Sequence, residues 1–97
     1  MAKVQKIIWL PEIEDKLLQK HHVLVEEVEE VLFDRPQIYF VENGHHEGEN
    51  LYAACGQTET GRYLILFFIL KKNSQALIIS ARDMDKKERK RYGKRIR

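Results

Sequence analysis

The segment RYLILFFILKKNSQALIISAR, residues 62–82, decides the fold. Tyr63 to Leu70 is apolar at every position, as in a strand covered on both faces. Lys71-Lys72-Asn73-Ser74 is a polar break too short for a crossover, so Gln75–Ala81 returns antiparallel beside it. Two further apolar segments precede them, Gln37–Glu42 and Leu51–Cys55, divided by the turn-rich stretches 43–48 and 56–61. The four predict an antiparallel meander with Arg62–Leu70 at its centre.

Working outward, Lys3 to Leu10 ends apolar enough for a short strand, and Pro11 suits the first turn of a helix. Ile13, Leu17 and Leu18 form one apolar stripe, ending near Lys20-His21-His22. Leu24, Val28, Val31 and Leu32 form a second, with Glu26, Glu27, Glu29 and Glu30 on its other face. Neither helix has a strong capping residue before its first turn, so packing must hold both. Asp34-Arg35-Pro36 ends the second, because a residue before proline avoids the α region. Beyond Arg82 the chain predicts a last helix. Asp85 caps it and Glu88 follows three residues on, a capping-box spacing. Its apolar positions are only Met84, Tyr92 and Ile96. The expected fold class is α+β, a single domain over residues 1–97 with the first two helices covering one side of the sheet.

The 97 residues, 43% hydrophobic and 33% charged, suffice for one core and exclude a disordered chain. Net charge is only +2, but it is unevenly spread. The glutamates lie in the first half, whereas Lys86, Lys87, Arg89, Lys90, Arg91, Lys94, Arg95 and Arg97 crowd the C-terminus. That asymmetry points to a polyanionic partner; a solvated basic tail is the plainer alternative. The lone Cys55 rules out an internal disulfide and fits a reducing cytoplasm. The apolar run at 63–70 is too short to span a membrane, and no signal peptide is visible.

A hairpin of Arg62–Leu70 with Gln75–Arg82 is expected to bring Arg62 opposite Arg82 or Asp83. Two arginines at cross-strand distance call for an anion between them, and phosphate suits the guanidinium fork. The alternative is a surface network in which Asp83 or Glu88 neutralises both. Lys86 and Arg89 extend the basic patch. His21, just after a helix, is a residue type that exchanges protons near neutral pH; it could equally bond the last-turn carbonyls. Glu88 could be a base or only a cap, and Tyr92 a donor or only packing. His21-His22 and His45-His46 have poor metal spacing, because adjacent side chains diverge, so neither a metal nor another cofactor is expected.

Taken together, these residues resemble the BrnT-like ribonuclease toxins of type II toxin–antitoxin systems, in the wider RelE-like group. The likeness rests on Ile78-Ile79-Ser80-Ala81-Arg82, Asp85, Glu88-Arg89 and Tyr92, on Gly61-Arg62-Tyr63-Leu64, and on the spacing from Trp9 to Lys20-His21. Val31-Leu32-Phe33-Asp34 and Gly48-Glu49 also fit. Some positions depart from it. Leu10 replaces an Asp, Ile13 a Lys and Leu17 an Asn. His22 replaces the Gly that ends the first helix, and Leu24 a capping Ser.

The resemblance implies a β-α-α-β-β-β-β-α chain with a twisted sheet, two helices on one face and the last helix at its side. It also implies a metal-independent endoribonuclease that arrests translation. Its partners would be RNA and a cognate antitoxin with a DNA-binding part, in a hetero-oligomer that touches DNA only through the antitoxin. The expected catalytic set is Arg62, Arg82, Glu88, His21 and Tyr92, with Lys20, Lys86 and Arg89 binding RNA. A non-catalytic basic module for nucleic acid or an acidic partner is the alternative, and a direct DNA-binding repressor ranks third.

Overall fold

The computed structural model describes residues 4–46 and 49–95. Expectations placed on Lys3, Gly48, Ile96, Arg97 and the Arg95 side chain fall outside them. The chain runs β1 (Lys6–Ile8), α1 (Pro11–His21), α2 (Val25–Phe33), β2 (Gln37–Glu42), β3 (Leu51–Gln57), β4 (Tyr63–Lys71), β5 (Gln75–Asp83) and α3 (Lys86–Arg95). This is the expected order of elements in an α+β fold. The sheet order is β1-β5-β4-β3-β2. β2 to β5 form the antiparallel meander, with β4 in the middle. Only β1 is parallel, pairing with β5 from Lys6–Gln75 to Ile8–Leu77.

α1 and α2 cover one face of the sheet. Leu17, Val28, Val31 and Leu32 pack there on Ala54, Leu64, Leu66, Phe68, Ile78 and Ala81. α2 approaches β3 closely: a Cβ at Gly56 would meet Val31 Cγ1 at 2.8 Å. As the missing caps required, packing holds these helices. Leu10 and Leu24 occupy the N-cap positions without a side-chain cap bond. Leu18 and Leu24, expected in the apolar stripes, instead stand 49% and 47% exposed. Trp9 packs against this core with its Nε1 buried and without a hydrogen-bond partner among the described residues.

On the other face Ala53, Cys55, Ile65 and Met84 are buried, packed against Tyr39, Tyr63, Phe67 and Tyr92. The last of these comes from α3.

Candidate nucleic-acid site at the β5–α3 junction

A β-bulge sets the site. From Lys71–Gln75 to Phe68–Ile78 the hairpin register is regular, but Phe67 then pairs with Ser80, leaving Ile79 as an extra residue in β5. Side chains alternate faces along a strand, so Ala76 and Ile78 on the helix side would put Ser80 and Arg82 there too. The bulge reverses this. Ala81 and Asp83 take the helix side, and Arg82, opposite Ile65, takes the open face.

The expected juxtaposition of Arg62 and Arg82 is therefore not formed. Leu64 stands opposite Asp83, Arg62 precedes β4, and the two arginines serve opposite faces. Each has its own carboxylates, so the alternative, one network of Asp83 or Glu88 neutralising both, is met only as two separate pairings. Arg62 donates Nε to Asp83 Oδ1 (2.7 Å) and Nη2 to Oδ2 (3.2 Å). Its Nη1 donates to the His22 carbonyl (2.6 Å) and Glu27 Oε1 (2.9 Å), and Nη2 to the His21 carbonyl (2.8 Å). A guanidinium has five N–H donors, and all five are used. Arg62 thus ties the α1–α2 turn to the end of the sheet. Glu27 Oε1 also accepts from Leu24 N at 3.0 Å, so the same carboxylate closes the uncapped start of α2.

Arg82 is differently placed. It donates Nη1 to Glu88 Oε1 (2.7 Å) and to the Asp83 carbonyl (3.1 Å), and Nη2 to Glu88 Oε2 (2.9 Å). Three of five donors are engaged, leaving Nε–H and one Nη2–H without an acceptor among the described residues. The side chain is 37% exposed, and its guanidinium lies 5.7 Å from the Phe67 ring centroid. Asp85 and Glu88 form the expected reciprocal box, Glu88 N to Asp85 Oδ1 at 2.8 Å and Asp85 N to Glu88 Oε1 at 2.9 Å. One carboxylate therefore starts α3 and aims Arg82.

The electrostatics follow these bonds. Arg82 holds the Glu88 carboxyl below its usual range, helped by the Asp85 backbone N–H and opposed by partial burial. Arg62 does the same for Asp83, with a smaller pull from His21. Burial pushes the Tyr92 and Tyr39 hydroxyls and the Cys55 thiol up, so all three stay protonated at neutral pH.

α3 adds cations to the open face. Arg89 lies 4.3 Å from the Tyr63 ring centroid, and Arg91 lies 5.3 Å from that of Tyr39, bonding its hydroxyl at 3.3 Å. Lys86 and Lys90 are exposed. With Tyr63, Arg89, Tyr92 and Gly93 they line a hollow of about 350 Å³. Of the expected residues, Arg82, Glu88, Arg89, Lys86 and Tyr92 gather here. His21 and Lys20 stay with Arg62 at the end of α1, across the sheet's end.

Tyr63 and Lys90 gain roles that the sequence did not assign them, whereas Asp83 takes the arginine-neutralising role foreseen for it. The signal for Tyr63 was present, since it alternates with Arg62 and must face the other way. No cluster of three or more His, Cys, Asp or Glu residues with metal geometry occurs among the described residues. No helix of theirs is long and apolar enough to cross a membrane.

The junction's sequence is also that of a known family. The family model described as ribonuclease toxin, BrnT, of type II toxin–antitoxin system matches residues 9–88. The chain belongs to the BrnT family. The match starts at Trp9 and ends on Glu88, so it spans both arginines and the carboxylate that aims Arg82. BrnT membership makes the chain, at family level, a ribonuclease toxin with an antitoxin as its partner. No curated protein matches it.

Proposed function

We propose that this BrnT-family chain is a metal-independent endoribonuclease acting at the open face of the β5–α3 junction, and that it arrests translation. The observation that carries this reading is Arg82. It is aimed onto the open face by a bulge, held by Glu88, and left with two N–H donors that meet no acceptor among the described residues.

In the proposed reaction the ribose 2′-oxygen attacks the adjacent phosphorus, and the 5′-oxygen leaves. The products are a cyclic phosphate and a 5′-hydroxyl. Arg82 binds the phosphate and gains strength as charge builds on its oxygens. Lys86 and Arg89 hold the flanking backbone, and Tyr92 donates from its protonated hydroxyl. Glu88, kept ionised by Arg82, is a positioning residue rather than a base. The 2′-hydroxyl proton passes to solvent and the 5′-oxygen takes one back from water; His21 and Lys20 lie across the sheet's end with Arg62 and take no part in this step. Arg62, with every donor engaged, supports this architecture without touching RNA.

Purified protein incubated with labelled RNA tests the proposal. Cleavage undiminished by EDTA is expected from the wild type. Arg82→Ala is expected to remain folded yet lose both cleavage and growth arrest on expression. Retained toxicity in that variant would refute its assignment.

One observation favours a second reading. Asp83, Asp85 and Glu88 are all committed to hydrogen bonds at the junction. A non-catalytic RNA-binding module would look the same on this face. Salt-sensitive binding that leaves the RNA intact would decide for it.

The antitoxin, in this proposal, carries a DNA-binding part and covers the α3 face in a cytoplasmic hetero-oligomer. Co-purification with the product of an adjacent small gene, with loss of RNA cleavage in the complex, is the expected result.

A further inference from the structure

We propose that the corner formed by Tyr63, Arg89 and Tyr92 is a binding site for an unpaired nucleobase of single-stranded RNA. This rests on the ribonuclease reading and names its substrate class. Three features of the corner carry the inference.

The first is the stack already present. Arg89 lies 4.3 Å from the Tyr63 ring centroid, closer than Arg82 to Phe67 at 5.7 Å or Arg91 to Tyr39 at 5.3 Å. Arg89 has no carboxylate partner among the described residues, so its N–H edges are available to an incoming ligand. A guanidinium supported by a tyrosine offers a second flat face on which a base can stack.

The second is the shape. The Tyr92 ring stands 6.2 Å from Tyr63 at 78°, which gives the platform a side wall. The hollow of about 350 Å³ is within the range of small-ligand sites. Gly93 leaves its rim open, since a Cβ there would meet nothing within 4 Å.

The third is the charge. Lys86, Arg89 and Lys90 line the hollow and no acid does. An apolar ligand would have no use for three cations, and a cationic ligand would be repelled. A flat aromatic group carrying phosphate meets both requirements. A base inside a duplex has its faces covered by its neighbours, so only an unpaired base can enter.

The test uses a 2′-O-methyl oligoribonucleotide, which cannot be cleaved, carrying one 2-aminopurine, alone and annealed to its complement. The single strand is expected to bind at least roughly tenfold more tightly than the duplex, with quenched fluorescence. Arg89→Lys keeps the charge but loses the planar stack. It and Tyr63→Leu are each expected to lose the quenching and weaken binding by roughly tenfold. Arg89→Lys sits on an exposed helix position, so its result stands even if Tyr63→Leu proves unfolded by circular dichroism. Equal binding of strand and duplex would overturn the proposal, as would quenching that survives in Arg89→Lys. A polyglutamate peptide competing as well as RNA would assign the corner to an acidic protein partner instead. Because the probe is inert, quenching without cleavage of the matched unmodified strand keeps the base site and removes the ribonuclease reading. Cleavage without quenching does the reverse.

Discussion

At the scale of single residues, two arginines of the same hairpin have opposite tasks, and counting donors separates them. Arg62 meets five acceptors, among them Glu27, whose side chain is only 16% exposed. Arg62→Ala would remove the side-chain donor from the His21 and His22 carbonyls and leave Glu27 only its bond from Leu24 N. A loss of about 2–3 kcal/mol is expected. For a chain of this length that lowers the melting temperature by roughly 8–24 °C in a thermal scan. Arg62→Lys should recover little, since an ammonium cannot reproduce the fork. Arg82→Ala is expected to cost less stability, because Glu88 keeps its cap bond to Asp85, but to lose ribonuclease activity by at least about a hundredfold. If Arg62→Ala melted like the wild type, the donor count would be a poor guide to these roles. The sequence could not separate the two arginines, because the separation depends on Ile79. A bulge residue with an ordinary β-branched side chain carries no local mark, and counting back through a regular hairpin puts Arg62 and Arg82 on the same face.

At the scale of elements, the ends of α1 and α3 show how local chemistry fixes the site. His22 ends α1 in the left-handed region (φ 55°, ψ 37°), with His22 N bonded to Leu18 O and Val23 N to Leu17 O. That is a glycine position. His22→Gly removes a strain of about 1–2 kcal/mol, offset by about 0.5–1 of backbone entropy. A net gain of about 0.5–1 kcal/mol in urea unfolding is therefore expected. Arg62 binds only the His22 carbonyl, so its bond should survive the change.

α3 depends on Glu88, and its acid sensitivity has a definite sign. The folded carboxyls of Glu88 and Asp83 lie below their ordinary values of 4.5 and 3.8. Their stabilisation is therefore complete above those values and is lost as pH falls through the lowered folded ones. Urea midpoints should be flat from neutral pH down to about 5 and fall below about 4. Glu88→Gln should be weaker at neutral pH and lose part of that acid slope, and superimposable profiles would exclude the role given to Glu88. The capping box and strands β2 to β5 were legible in the sequence because their signals are local. The parallel pairing of β1 with β5 joins segments some seventy residues apart and leaves no local trace.

At the scale of the whole molecule, a net charge of +2 conceals two surfaces. The glutamates of α2 cover one side of the sheet, where Glu27 is spent on Arg62. The cations of α3 border the other, where Glu88 holds Arg82 and aromatic rings lie beside Arg82, Arg89 and Arg91. Polyanion binding should therefore be confined to the α3 side, and its salt dependence measures how many phosphates it engages. Each contact to a single strand contributes about −0.7 to the slope of log affinity against log salt. Four contacts, from Arg82, Lys86, Arg89 and Lys90, give a slope of about −3. The double variant Lys86→Ala/Lys90→Ala should reduce it by about 1.4 without altering the fold. Lys72→Ala, in the turn between β4 and β5, lies at the other end of the hairpin from the junction and should leave the slope unchanged. Anisotropy titrations of a non-cleavable strand over a range of salt concentrations make the comparison. Equal losses from the Lys72 and Lys86/Lys90 variants would mean that RNA meets the charge of the molecule at large, and that the bulge, the box and the aromatic corner do not define where it binds.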